Sequence, residues 1–319
     1  MCKNKSIIIF CDINKKVGIG HYSRSITLKR LIEKNFLNTK VLIILITATR
    51  KRFSGNYKKV SPKNLNSKIS KCIHNRRPSH VFFNLSPEFE RNNFKSFVKI
   101  FLNKNIKLIA IDNLFSYKKF LYHIWVPNVY LDLKYKKDKK FSFGWNKLLI
   151  NENKKKKIYT DRSILILTGG TDKYQISKKL PIILEKNLQA GTIIKWVIGP
   201  FAQKPKIKNS KLKWIFYRNQ TNLSKIYSKS GLAFVQFGVS FFEVVQYGIP
   251  CAVYSPKFKE NFKLQKEIKK KFFLDSDLTS LVKNLRSKLT NIRKERFLAK
   301  KLSKLVDLKK RDSFIKKLI

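Results

Sequence analysis

Near its N-terminus the chain contains the stretch SIIIFCDINKKVGIGHYSRSITLKRLIEKN, residues 6–35, in which an apolar run, a glycine-rich turn and an amphipathic segment follow one another. Ser6–Phe10 is short and apolar, which is typical of a buried β-strand. Between Tyr22 and Asn35 the apolar residues recur at helical spacing. A strand that leads through a tight turn into a helix opens a βαβ unit, so the stretch predicts an α/β fold with parallel strands.

The same alternation continues along the chain and then starts again. In the first half the predicted strands are Lys40–Ile46, Val81–Phe83, Lys107–Ile111 and His123–Val126, with a helix over residues 88–103. The charged stretch Asn151–Lys157 is the best candidate for a linker. In the second half the predicted strands are Ser163–Leu167, Thr192–Ile198, Leu212–Tyr217, Leu232–Gln236 and Cys251–Tyr254.

Two Rossmann-like domains are the simplest architecture for this pattern. We predict an N-terminal domain over residues 1–155 and a C-terminal domain over residues 156–319. The tail from Leu278 to Leu289 carries apolar residues at helical spacing and predicts a helical cap that belongs to the second domain.

The composition excludes a disordered basic tail and argues against a nucleic-acid partner. The 319 residues include 71 Lys and Arg against 19 Asp and Glu, a net charge of +52, but 43% are hydrophobic and 13% aromatic. Lysine outnumbers arginine roughly four to one, whereas recognition of phosphates and bases favours arginine. Abundant Lys, Asn, Ile and Phe with scarce Ala fit an AT-rich genome. The sequence therefore predicts no specific nucleic-acid partner and at most weak association with anionic membranes, and leaves the oligomeric state open.

The cysteines and the apolar runs argue against several classes of protein. Cys2, Cys11, Cys72 and Cys251 are far apart, without a C-x-x-C pair, which argues against a disulfide scaffold or a zinc site. The longest apolar runs are strand-sized, well below the ~20 residues that span a bilayer. We predict a cytoplasmic protein without a transmembrane segment, metal or other cofactor.

The loop after the first strand is the first candidate site, because ligands of such sheets bind at the carboxyl ends of the strands. Gly18 and Gly20 permit a tight turn, and His21 at the helix start can act as an acid or base near neutral pH. A dinucleotide fingerprint would need a third glycine where Ser23 stands. The alternative is a surface histidine at a helix cap.

Two loops of the second half are further candidates. Thr168-Gly169-Gly170-Thr171-Asp172 could direct backbone N–H groups at a sugar or phosphate, or be an ordinary strand-to-helix turn. In the segment from Phe237 to Glu243, Gly238 and Ser240 open a helix that could bind a diphosphate, and Glu243 could accept both ribose hydroxyls. A glutamate in a first turn is also favoured by the helix dipole alone. Asn261, after the last predicted strand, is a weaker candidate.

These motifs together resemble a known family. The segment CDINKKVGIGHYSRSITLKRLIEK is similar to the opening of the UDP-sugar hydrolases of pseudaminic-acid synthesis and of the related spore-coat-polysaccharide predicted glycosyltransferases. Its acidic residue followed by G-x-G-H-x-x-R is matched by Asp12, Gly18, Gly20, His21 and Arg24. ILILTGGTD, WVIGP and LSKIYSKSGLAFVQFGVSFFEVVQYGIPCAVYS look like the family's later motifs, the last of them shared with the lipid-II-forming glycosyltransferase.

The resemblance implies a glycosyltransferase-B (GT-B) fold, two Rossmann-like domains facing across a cleft that binds a UDP-sugar. It implies that His21 activates the water that displaces UDP from the anomeric carbon, with no metal required. It further implies that Glu243 holds the ribose and that Gly238 and Ser240 hold the diphosphate. The further predicted substrate-binding residues are Asp12, Gly18, Gly20, Arg24, Gly169, Gly170, Thr171 and Asn261.

Departures from the family pattern concern the reaction more than the fold. Phe237 replaces a glycine, and Asn84-Leu85-Ser86 stands where the hydrolases carry Asp-x-Tyr. The sequence therefore predicts a nucleotide-sugar enzyme of surface-glycan biosynthesis that hydrolyses a UDP-linked amino sugar. The alternative is a glycosyltransferase in which His21 deprotonates an acceptor hydroxyl, and a basic protein that binds nucleic acid is the third hypothesis.

Overall fold

The chain folds into two compact units. The first contains the chain up to Leu149 together with Asp307–Ile319, and the second runs from Ile150 to Val306. The computed structural model describes residues 5–14, 18–49, 51–62, 65–102, 104–152, 162–172, 174–218, 220, 222–257 and 262–319. The predicted linker therefore lies largely outside the described residues.

The first unit contains a parallel sheet of seven strands. They are β1 (Ser6–Asp12), β2 (Lys40–Ile46), β3 (Lys58–Val60), β4 (His80–Asn84), β5 (Lys107–Ile111), β6 (His123–Trp125) and β7 (Phe141–Ser142). Their order in the sheet is β3-β2-β1-β4-β5-β6-β7, so the direction of winding reverses between β1 and β4. Ile9 pairs with Ile43 on one side and with Phe82 on the other. This reversal is the switch point at which such sheets bind ligands.

Helices cover this sheet and enclose an aromatic core. They are α1 (Gly20–Asn35), α2 (Leu65–Arg76) and α3 (Pro87–Val98). The Phe10 ring meets the Phe97 ring edge-on, with 5.2 Å between centroids, and Phe83 packs in the same way against Phe94 at 5.3 Å. These rings are fully buried, and their edge-to-face packing holds α3 on the sheet.

The second unit repeats the same winding with six parallel strands. Its elements are β8 (Ile164–Leu167), α4 (Ile176–Asn187), β9 (Ile193–Ile198), β10 (Lys213–Arg218), α5 (Ser224–Ser228), β11 (Leu232–Gln236), α6 (Val239–Gln246), β12 (Cys251–Tyr254), α7 (Phe262–Lys269), β13 (Phe273–Asp275), α8 (Leu278–Thr290) and α9 (Ile292–Ser303). The strand order is β10-β9-β8-β11-β12-β13, which puts a second switch point between β8 and β11. Within the described ranges, no helix is both long and apolar enough to cross a membrane.

The C-terminal helix α10 (Leu308–Leu318) belongs to the first unit, which corrects the predicted assignment of the whole 156–319 segment to the second domain. The Phe314 ring packs edge-on against Trp125, with 5.1 Å between centroids, and Lys5 Nζ donates to the Ile319 carbonyl at 3.1 Å. The buried face of α10 therefore packs on strand β6 and the residues around it. The amphipathic pattern of the helix predicts a buried face but does not say which unit covers it.

Two histidines, the buried His80 and the half-buried His123, should make the first unit sensitive to acid. Burial, with a contribution from nearby lysines, lowers the pKa of His80 and of His123 from 6.5 to about 4. The unfolded chain takes up these protons near pH 6.5 and the folded chain only near pH 4, so stability is lost as the pH falls between these values. Each group contributes a slope of about 1.4 kcal/mol per pH unit.

Urea unfolding at several pH values between neutral and mildly acidic measures this slope. We expect the double variant His80→Gln/His123→Gln to show a flatter dependence of the unfolding free energy on pH than the natural sequence. Equal slopes for the two proteins would show that these imidazoles titrate normally in the folded state.

Candidate functional site

His21 lies at the switch point of the first sheet. The turn that follows β1 is closed by a hydrogen bond from Gly18 N to Asn14 O of 2.9 Å, and Gly18 has φ of +77°, a conformation that favours glycine. Helix α1 then begins at Gly20, which places the half-buried His21 ring in its first turn. The predicted role of the two glycines in shaping the turn thus has a structural basis at Gly18.

The His21 ring is held by Asn84 at the end of β4. His21 Nδ1 lies 3.1 Å from the Asn84 carbonyl oxygen and 3.0 Å from Asn84 Oδ1. The Asn84 amide is itself fixed, because its Nδ2 donates to the His21 carbonyl at 2.7 Å and to Ser25 Oγ at 3.0 Å. The two oxygen acceptors at Nδ1 are closer to it than the one nearby donor, Arg24 Nη2 at 3.2 Å. They favour the tautomer with the proton on Nδ1, which leaves the lone pair on Nε2.

An ion pair adjoins the histidine. Arg24 Nη1 donates to Asp112 Oδ2 at 2.6 Å, and Arg24 Nη2 lies 3.2 Å from His21 Nδ1. Burial and, secondarily, the Arg24 charge lower the pKa of His21 to about 3. The imidazole is therefore neutral at physiological pH.

The Asp12 carboxylate hydrogen-bonds to Ser86, at the start of α3. Its Oδ1 accepts a hydrogen bond from Ser86 N at 2.7 Å, and its Oδ2 accepts one from the Ser86 hydroxyl. Ser86 also caps α3 by accepting from Phe89 N at 3.3 Å. Burial raises the pKa of Asp12. Asp12 thus fastens the start of α3 to the end of β1, and its predicted contact with substrate stays a prediction.

In the second unit, the predicted loop from Thr168 to Asp172 packs against the turn that follows β9. Gly169 has φ of +83°, and Phe201 N donates to Gly170 O at 3.0 Å. Asp172 is used as a helix cap, because its carboxylate accepts from Ile176 N at 2.7 Å and from Ser177 N at 3.2 Å. The glycines and Thr171 remain as the part of this loop that can face a ligand.

Gly199 should be irreplaceable at this contact. A Cβ atom added at Gly199 would lie 2.3 Å from the Gly169 carbonyl oxygen, a backbone atom that cannot rotate away. We expect Gly199→Ala to lower the unfolding free energy by about 3 kcal/mol, the upper end of the usual cost of overpacking. Gly191→Ala is the matched control, since it has open space and only its φ of +78° is unfavourable. Chemical denaturation should show a smaller loss for Gly191→Ala, and equal losses would contradict the steric explanation.

Helix α6 and its preceding turn form the second candidate cluster. Gly238 is the residue before α6, with φ of +158° and ψ of −157°, and as a glycine it has no side chain that could accept a hydrogen bond at the start of the helix. The first N–H groups of the helix are therefore not capped by the residue before it. Phe237 packs its ring against Phe241, with 5.4 Å between centroids.

Glu243 is bound to a tyrosine that the sequence analysis did not single out. Tyr227 donates to Glu243 Oε2 at 2.8 Å, and Ser240 also hydrogen-bonds to Tyr227. Burial raises the pKa of Glu243 and of Tyr227. The tyrosine hydroxyl engages the Oε2 atom of this carboxylate. The last predicted site residue, Asn261, lies outside the described residues.

Comparison with known proteins identifies the fold. No protein-family model and no curated protein sequence matches the chain. Among solved structures, MurG of Acinetobacter baumannii superposes with a TM-score of 0.61 at 11% identity, covering 98% of this chain and 99% of that chain. A UDP-N-acetylglucosamine 2-epimerase of Listeria monocytogenes, described as putative, gives 0.61 at 10% identity over 99% and 95%. TcCGT1 in complex with UDP gives 0.59 at 12% identity over 95% and 94%.

The chain has a glycosyltransferase-B fold. The predicted GT-B fold class is thereby confirmed, whereas the resemblance to the hydrolases finds no counterpart among these structures. Sequence reasoning did not find Asp112 and Tyr227, although each touches a predicted site residue. It singled out Asn84 only as a departure from the pattern of the resembled family, and the structure places Asn84 against His21. Asn84 and Asp112 share one recognisable signal, a polar side chain at or just after the carboxyl end of an apolar strand.

Proposed function

We propose that the protein is a glycosyltransferase that moves a sugar from a UDP-sugar to an acceptor hydroxyl, with His21 as the general base. The observation that carries this proposal is the pair of oxygen acceptors at His21 Nδ1, which leaves a neutral Nε2 lone pair at the switch point of the sheet. The structural comparisons support the proposal, since this chain shares its fold with MurG and with TcCGT1, and TcCGT1 was solved with UDP bound.

In the proposed mechanism the acceptor is activated by the first unit. His21 Nε2 takes the proton of the acceptor hydroxyl while its oxygen forms a bond to the anomeric carbon and the bond from that carbon to the UDP oxygen breaks. Asn84 keeps Nδ1–H in place, so the ring gains its proton without rotating. Asp112 balances the charge of Arg24, which would otherwise oppose the imidazolium that forms.

The donor nucleotide is assigned to the second unit. Glu243 would accept the ribose hydroxyls through Oε1, the uncapped start of α6 at Gly238 and Ser240 would bind the diphosphate, and the loop of Gly169, Gly170 and Thr171 would contact the sugar. The proposed setting is the cytoplasm, and the proposed product is a surface glycan.

Hydrolysis is the second candidate, because the same Nε2 lone pair could activate water. One measurement separates the two reactions: release of UDP from a panel of UDP-sugars with and without candidate acceptors. We expect UDP release to require an acceptor and to yield a glycosylated product. Release at the same rate without acceptor would replace transfer by hydrolysis, and failure to bind UDP in calorimetry would overturn both reactions.

A further inference from the structure

Helix α9 presents a basic and apolar face to solvent. Its buried residues are Ile292, Ala299 and Ser303, which a rotation of about 100° per residue places on one narrow side of the helix. The rest of the helix surface carries the exposed residues Arg293, Lys294, Phe297, Leu298, Lys300 and Lys301, and exposed Lys304 follows at the C-cap. Phe297 is 60% exposed and Leu298 43%, so two large apolar side chains stand in the middle of five cations. We call this set of exposed residues the α9 face.

The cations of the α9 face are not neutralised by acidic side chains of the described residues. The one acidic residue of the helix, Glu295, lies off this face and pairs with Lys288 of α8. Lys301 Nζ instead lies 4.5 Å from the centre of the Phe297 ring. The face therefore combines a positive field with apolar surface that has no partner within this part of the chain.

We propose that the α9 face docks on the surface of an anionic lipid bilayer. Lysines near such a surface contribute about 1 kcal/mol each, and long lysine stems can lie along the acyl boundary while their ammonium groups contact the headgroups. Phe297 and Leu298 would enter the interface between headgroups and acyl chains, as the apolar residues of interfacial helices do. A nucleic acid fits less well, because Phe297 is the one aromatic ring of the face on which a base could stack, whereas the aliphatic Leu298 beside it offers no such plane.

Sedimentation with vesicles tests the docking. We expect the full chain to bind vesicles of phosphatidylglycerol in phosphatidylcholine at low salt, to leave them at high salt, and to ignore pure phosphatidylcholine. Phe297→Ser/Leu298→Ser should weaken the partition coefficient about tenfold through lost apolar burial. Lys294→Glu/Lys301→Glu should weaken it by at least as much.

Matched control variants on α4 separate this face from the net charge. Ile182 is 71% exposed, and Lys178 and Lys179 are exposed on the same helix. Ile182→Ser, which removes one exposed apolar side chain, and Lys178→Glu/Lys179→Glu, which reverses two charges as the α9 lysine variant does, should keep vesicle binding within about twofold, because they lie outside the α9 face.

Three outcomes would overturn the proposal. One is the absence of binding to phosphatidylglycerol vesicles. Another is an equal loss of binding in the α4 and α9 variants, which would assign the effect to overall charge. The third is binding of duplex DNA in a filter assay that the α9 variants abolish while vesicle binding is unchanged. Thermal unfolding of each variant checks that these surface changes leave the fold intact.

Discussion

His21→Ala should lower the kcat of glycosyl transfer by about 10²- to 10⁴-fold, because the acceptor hydroxyl then loses its general base. The affinity for UDP should change little, since His21 is assigned to the acceptor. Steady-state kinetics with a UDP-sugar and an active acceptor, together with calorimetry of UDP binding, measure both quantities. A variant with unchanged kcat would remove His21 from the mechanism.

Variants of Asn84 test whether this residue holds the His21 ring in the tautomer with the proton on Nδ1 or only lies beside it. Asn84→Ala removes the Oδ1 acceptor at Nδ1 and should lower kcat about tenfold without affecting UDP binding. Asn84→Asp keeps an acceptor but adds a negative charge, which should raise the pKa of His21 from about 3. Because the base must be neutral, kcat of Asn84→Asp should begin to fall at a higher pH than kcat of the natural protein. Superimposable pH profiles would show that Asn84 does not act through His21.

Glu243→Ala should raise the Kd for UDP by about 10- to 100-fold, which corresponds to about 1.5–3 kcal/mol for hydrogen bonds to a charged group. Glu243→Gln keeps an acceptor for Tyr227 while removing the charge, so its effect should be smaller. Tyr227→Phe leaves the carboxylate in place and removes only the donor to Oε2. Titration calorimetry with UDP ranks the three variants by their Kd. If Tyr227→Phe bound UDP as weakly as Glu243→Ala, the group that contacts UDP would be the tyrosine hydroxyl and not the carboxylate.

The strands that matched prediction in full are continuous apolar runs. Four strands have the predicted bounds: Lys40–Ile46, Lys107–Ile111, Leu232–Gln236 and Cys251–Tyr254. Most of their side chains are buried on both faces of a parallel sheet, so each reads as an apolar run in which polar residues stand only at the ends. The edge strand Lys58–Val60 escaped prediction, since its first two residues are exposed lysines and give no apolar signal.

The candidate site could be predicted only in part, for a reason of topology. The glycine loops could be recognised from local sequence, because the positive φ values at Gly18 and Gly169 favour glycine. Asn84 reaches His21 because β4 pairs with β1, and Asp112 reaches Arg24 because β5 lies next to β4. This strand order follows from the packing of the whole sheet, and no single stretch of sequence encodes it.

The return of α10 to the first unit has a consequence for synthesis on the ribosome. The second unit has all of its chain once Val306 has left the exit tunnel, whereas the first still lacks the helix that buries Arg311, Ile315 and Leu318. The usual order, in which the N-terminal domain is finished first, is therefore reversed. The first unit cannot complete its core until Leu308–Leu318 has been synthesised, which is after the chain of the second unit is complete.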